Sequence, residues 1–89
     1  MPRISYFHGI TIRMYFNESF HPGRPHFHAF YGGEQASFDV TDLSRLTGKL
    51  PLRVERLVRQ WARARREDLL ENWGRARSGG DIKTIEPLK

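Results

Sequence analysis

The sequence predicts an α+β fold: an antiparallel sheet of three or four strands packed against one long or two consecutive C-terminal helices. Two observations lead there. Between Gly9 and Val40, apolar residues recur at every second position in three short runs divided by turn residues, the period of a half-buried strand. Between Leu50 and Ala76 they recur at spacings of three and four, the period of an amphipathic helix. The 89 residues carry no internal repeat and no linker-like stretch, which predicts a single domain over residues 1–89.

The first strand is expected over Gly9 to Asn17, where Ile10, Ile12, Met14 and Phe16 alternate with Thr11, Arg13 and Tyr15. Ser19 to Arg24, with Pro22 and Gly23, has the chemistry of a loop. Pro25 opens the second strand, a place where proline is tolerated because no ladder hydrogen bond is lost. Gly32-Gly33 signals a tight turn, and Glu34 to Val40 alternates again. Thr41-Asp42 suits a short turn and Gly48 a break. Leu50-Pro51 opens a helix, proline being harmless in the first turn. Val54, Leu57, Val58, Trp61 and Ala62 form its apolar stripe, which resumes with Leu69, Leu70, Trp73 and Ala76. The polar stretch Ala64 to Asp68 between them favours a bend and two helices, with Glu67 and Asp68 in a new first turn. Ser78-Gly79-Gly80 ends the helical region, and Ile82 to Ile85 is read as a short edge strand.

Alternation fixes faces. With Ile10, Ile12, Met14, Phe16, Phe27, Ala29, Tyr31, Ala36, Phe38 and Val40 toward the core, the opposite face carries Arg13, Tyr15, His26, His28, Ser37 and Asp39. A one-residue bulge in any strand would undo this set.

The chain is basic, with 15 Lys and Arg against 10 Asp and Glu, a net charge of +5. Such a charge attracts nucleic acid, an acidic protein or an anionic surface. Arg53, Arg56, Arg59, Arg63 and Arg66 follow one another at spacings of three and four along the helix, a line suited to phosphates or to an acidic partner. A solvated helix face with local pairs, Glu55 with Arg59 and Glu71 with Arg75, is the competing reading. There is no cysteine, so disulfides and thiolate zinc sites are excluded, in keeping with a cytoplasmic location. No run approaches the ~20 apolar residues of a membrane helix, and the N-terminus lacks the apolar core of a signal peptide.

Chemistry concentrates at His21 and at Arg24-Pro25-His26-Phe27-His28-Ala29. His26 and His28 share a strand face, so they suit acid–base work with Arg13 on a phosphate and Tyr15 nearby. They equally suit a divalent transition metal, with His21 and Asp39 completing a ligand set. The structural alternative is that both rings bond to backbone or to Asp39. No cofactor is otherwise indicated.

Several segments carry a resemblance across nearly the whole chain: Met1-Pro2-Arg3-Ile4-Ser5, Gly9 to Tyr15, Asn17-Glu18, Pro25-His26-Phe27-His28-Ala29, Leu70-Glu71-Asn72-Trp73 and Ile85-Glu86-Pro87-Leu88. Together they resemble a family of small, mostly bacterial proteins catalogued as domain-of-unknown-function family 4160. The family usually places Asn-Glu-His-Asn-Pro-Pro ahead of its His-Phe-His, where this chain has a longer loop from Ser19 to Arg24. The resemblance implies no activity. It implies a gene neighbourhood like that of toxin–antitoxin pairs, hence a protein partner encoded beside it. The expectation is a component of such a pair that binds its partner, and nucleic acid, through the arginine-rich helix. A small histidine-dependent ribonuclease and a metal-binding module are the alternatives.

Overall fold

A computed structural model describes residues 3–15 and 24–89. Phe16 and His21, expected in the core and in a metal site respectively, lie outside them. Among the described residues the sheet has five antiparallel strands in sequential order: β1 (Arg3–Phe7), β2 (Ile10–Arg13), β3 (His26–Tyr31), β4 (Glu34–Asp39) and β5 (Arg45–Gly48). Two helices follow, α1 (Leu52–Ala64) and α2 (Arg66–Arg77).

The five strands correct the expected three or four, and each addition has a physical reason for having been hidden. In β1 a bulge between Arg3 and Ser5 turns both Ile4 and Ser5 inward, so strict alternation is lost. Its hairpin to β2 is a two-residue turn in which His8 and Gly9 both have positive φ, at 51° and 78°, the backbone that matches strand twist. In β5, an edge strand, only Leu46 is even half-buried, and it lacks an apolar pattern. The expected strand at Ile82–Ile85 is also corrected. That segment runs beside β1 with one backbone bond, Ile85 N–H to Ile4 O at 2.7 Å, and forms no ladder. β2 is shorter than expected, ending at Arg13.

The expected faces hold among the described residues, and the structure adds the pairing across strands. Thr11 pairs with Phe30, Ile12 with Ala29 and Arg13 with His28; His26 pairs with Asp39 and His28 with Ser37. Ile10, Ile12, Met14, Phe27, Ala29, Ala36, Phe38 and Val40 are buried on one face, and Tyr31 is half-buried beside them. The helices cover this face. Trp61 is the centre of the contact, its ring 5.3 Å from Phe7 and 5.8 Å from Phe27, with Val54, Val58 and Ala62 along the same stripe. Its indole N–H donates to Glu86 O at 2.8 Å, which ties the C-terminal segment down.

The helical region divides at Arg65, where φ −116° and ψ 23° break the geometry. Pro51 takes the position before α1. α2 closes in a Schellman arrangement: Gly79 has φ +81°, and the Gly80 N–H reaches Arg75 O at 2.8 Å. No helix among the described residues is long and apolar enough to cross a membrane.

One buried charge ties sheet to helix. Glu55 accepts from Arg45 of β5 at 2.7 Å and from Arg59 at 3.1 Å. Burial pushes its pKa up, but the hydrogen bond and charge of Arg45 and the bond from Arg59 outweigh that, leaving it below the ordinary value of 4.5. A carboxyl with a lowered folded pKa stabilises fully above its unfolded value and loses that contribution as pH falls through the folded one. Glu55→Gln is therefore expected to cost about 1–2 kcal/mol at neutral pH, a figure reduced because both arginines are partly solvated. The variant should also show a shallower loss of stability below pH ~4.5 than the parent in acid-titrated urea melts. Parallel acid limbs would remove the assignment.

Candidate functional site

The face of the sheet turned away from α1 is built in rows, and α2 reaches only its far end, where Trp73 packs on His26. Cross-strand pairing sets Tyr6, Thr11, Phe30 and Gln35 in one row, and Arg3, Arg13, His28, Ser37 and Thr47 in the next. His26 and Asp39 follow at the end where β3 begins. Ser37 and Thr47 join hydroxyls at 2.6 Å. The rings make a continuous strip: Phe30 lies stacked 6.4 Å from His28, and Tyr15 lies 4.6 Å from His28 on its other side. His28 is also 5.4 Å from His26, edge to face.

The two histidines differ sharply in setting. His26 is 0% exposed; its ring lies 5.1 Å from that of Trp73 on α2, and Nδ1 donates to Arg24 O at 2.8 Å. Because a carbonyl only accepts, this bond places the proton on Nδ1. The Trp73 indole nitrogen is buried with no hydrogen-bond partner among the described residues. His28 is half-buried, beside Arg13 and Tyr15. The structure thus brings together Arg13, Tyr15, His26 and His28, with Phe30 on the same face as strand alternation predicts, and adds Tyr6 to it.

Asp39 is committed elsewhere. Its Oδ1 accepts from the Thr41 N–H at 2.6 Å and the Asp42 N–H at 3.3 Å, forming the turn after β4, and Oδ2 lies 3.4 Å from Arg24 Nε. Among the described residues there is no group of three or more His, Asp or Glu side chains able to hold a metal ion.

The arginine line on the helices divides by geometry. Arg59 turns back over the Phe38 ring at 5.2 Å and donates to Leu43 O at 3.0 Å, while Arg66 donates to Val40 O at 3.2 Å. These two fasten the β4–β5 turn, where Leu43 has φ 61° and a buried side chain. Arg53 donates to the Tyr31 hydroxyl at 3.2 Å. Arg56 and Arg63 remain exposed. They share the outward side of α1 with Leu52, which is 64% exposed. The exposed leucine was not singled out by the sequence, since it directly follows Pro51 and breaks the stripe.

Residues 9–74 match the model of a family described as a domain of unknown function, DUF4160. The chain belongs to this family. The matched DUF4160 region starts at the β1–β2 turn and ends within α2, so it contains both histidines and the whole of α1. No curated protein and no solved structure matches the chain.

Proposed function

We propose that this DUF4160 protein is one component of a toxin–antitoxin-like pair and that it binds an acidic protein, encoded beside it, through the outward side of α1. The observation that carries this reading is the division of the arginines. Arg59 and Arg66 are used internally, whereas Arg56 and Arg63 stay in solvent, Arg56 one turn from the exposed Leu52 and Arg63 farther along the same side of the helix. A helix side that carries Leu52, then Arg56 one turn on, then Arg63 combines an apolar anchor with cations, the make-up of a protein interface. A duplex-binding helix would instead keep its whole arginine line for phosphates. The net charge of +5 favours an acidic partner over a basic one.

Co-expression with the product of the adjacent gene, followed by size-exclusion chromatography, tests it. The expected result is a stable complex that is lost in Arg56→Glu/Arg63→Glu and weakened in Leu52→Asp, each variant remaining folded by circular dichroism. Absence of a complex, or a complex indifferent to all three changes, would sink the reading.

A further inference from the structure

We infer that the sheet face opposite α1 is a binding platform for single-stranded nucleic acid, with Tyr6, Phe30, His28 and Tyr15 stacking on bases and Arg3 and Arg13 holding phosphates. This does not rest on the partner reading, because it concerns the other side of the molecule.

The argument starts from which rings are where. A strand face that is not buried in a core is ordinarily filled with small polar or charged residues. Here, besides the buried His26, it carries four partly exposed rings among the described residues. Tyr6 is 53% exposed and Tyr15, His28 and Phe30 are half-buried, so each offers ring surface to solvent. Phe30, His28 and Tyr15 succeed one another at 6.4 and 4.6 Å, and Tyr6 sits two strands away from Phe30 in the same row, about 10 Å by strand spacing. Every base has a π-face, so a strip of such rings takes unpaired bases with little regard to sequence, while paired bases in a duplex are not available to it.

Charge supplies the second half. Arg13 is the cross-strand neighbour of His28, and Arg3 pairs with Arg13 and lies over the Tyr6 ring at 5.4 Å. Rings and cations therefore interleave. Among the described strand residues of this face the single carboxylate is Asp39, and it is held by Thr41 and Arg24 at the far end. An acidic peptide would satisfy the arginines but would leave the ring strip without a partner, which is why a nucleic-acid strand is the occupant argued for.

Fluorescence anisotropy on the whole chain, with a labelled ten-nucleotide single strand of mixed sequence as RNA, as DNA, and annealed to its complement, decides the matter at 150 mM salt. Screening over about 8 Å at that salt keeps charges on the far side of a molecule 23 Å across its shortest axis from contributing directly. The single strands should bind and the duplex should bind at least about tenfold more weakly. Tyr6→Ala, at an exposed position where folding is little affected, should weaken single-strand binding about tenfold. Arg3→Gln should lower the slope of log affinity against log salt by about 0.7, the release expected for one phosphate contact on a single strand. Arg56→Gln/Arg63→Gln should leave affinity within about twofold, being separated from the platform by more than a screening length. The inference is overturned if the duplex binds as well as the single strands, if Tyr6→Ala binds like the parent, or if the helix variant carries the loss.

Discussion

Gly48→Ala is expected to lower stability by roughly 3 kcal/mol or more, a fall in melting temperature of roughly 10–20 °C for a chain of this size. Gly48 closes β5 with φ +78°, a region that L side chains rarely enter. A Cβ there would collide with the carbonyl oxygen of Gln35 and come within 2.8 Å of the Ala36 Cα. Both obstacles are backbone of β4, the strand that β5 pairs with, so relief requires the two strands to part. Parting them would also pull Thr47 from Ser37 and Arg45 from Glu55. Two glycines of the β3–β4 turn supply the scale. Gly32 has φ +59° and open space around its would-be Cβ, so Gly32→Ala should cost only the backbone penalty of about 1 kcal/mol. Gly33 has neither problem and Gly33→Ala should be nearly neutral. Thermal melts of the three variants should rank in that order. A Gly48→Ala protein melting beside Gly33→Ala would show that β5 is not fixed as described.

That ranking depends on a strand the sequence does not announce. Period-two alternation is visible only where one face is apolar, as in Ile10, Ile12 and Met14 or Phe27 and Ala29, and there it assigned the faces of β2, β3 and β4; which residues pair across the strands is not in the alternation and comes from the structure. β5 buries too little to alternate, and the bulge in β1 puts Ile4 and Ser5 on the same side. The two-residue turn at His8-Gly9 was the remaining local clue to β1, since an adjacent residue and glycine in left-handed conformation suit a hairpin. For the candidate site the same division applies. Period alone puts Arg13, Tyr15, His26 and His28 on one face. It cannot say that Trp73 arrives from α2 to bury His26, because that contact is set by how the helices cross the sheet. Nor can helical spacing tell a solvated arginine from a fastening one. Arg59 and Arg56 are equivalent in pattern, yet Arg59 finds the carbonyl of Leu43 within reach at the flank of the buried stripe.

The two histidines should separate cleanly when each is replaced by alanine. His26→Ala removes a fully buried ring that packs on Trp73 and bonds the Arg24 carbonyl, so it is expected to lose roughly 2–4 kcal/mol, in the range of other large-to-small changes in a packed interior. The loss should include a change in Trp73 fluorescence, because that ring would face a void and its N–H, which has no partner among the described residues, would gain access to water. His28→Ala truncates a half-buried ring on the ring strip and should cost about 1 kcal/mol or less. Its expected effect is on binding. Between Phe30 and Tyr15 it is the middle ring, so its removal breaks the strip and should weaken single-strand binding about tenfold. A double replacement would confound these, since an unfolded protein also fails to bind. Urea denaturation for stability and anisotropy for binding, on the single variants, keep them apart. If His26→Ala is as stable as the parent, the ring is not the packed support inferred for it. If His28→Ala binds single strands as the parent does, the strip is not continuous in function even though it is in space.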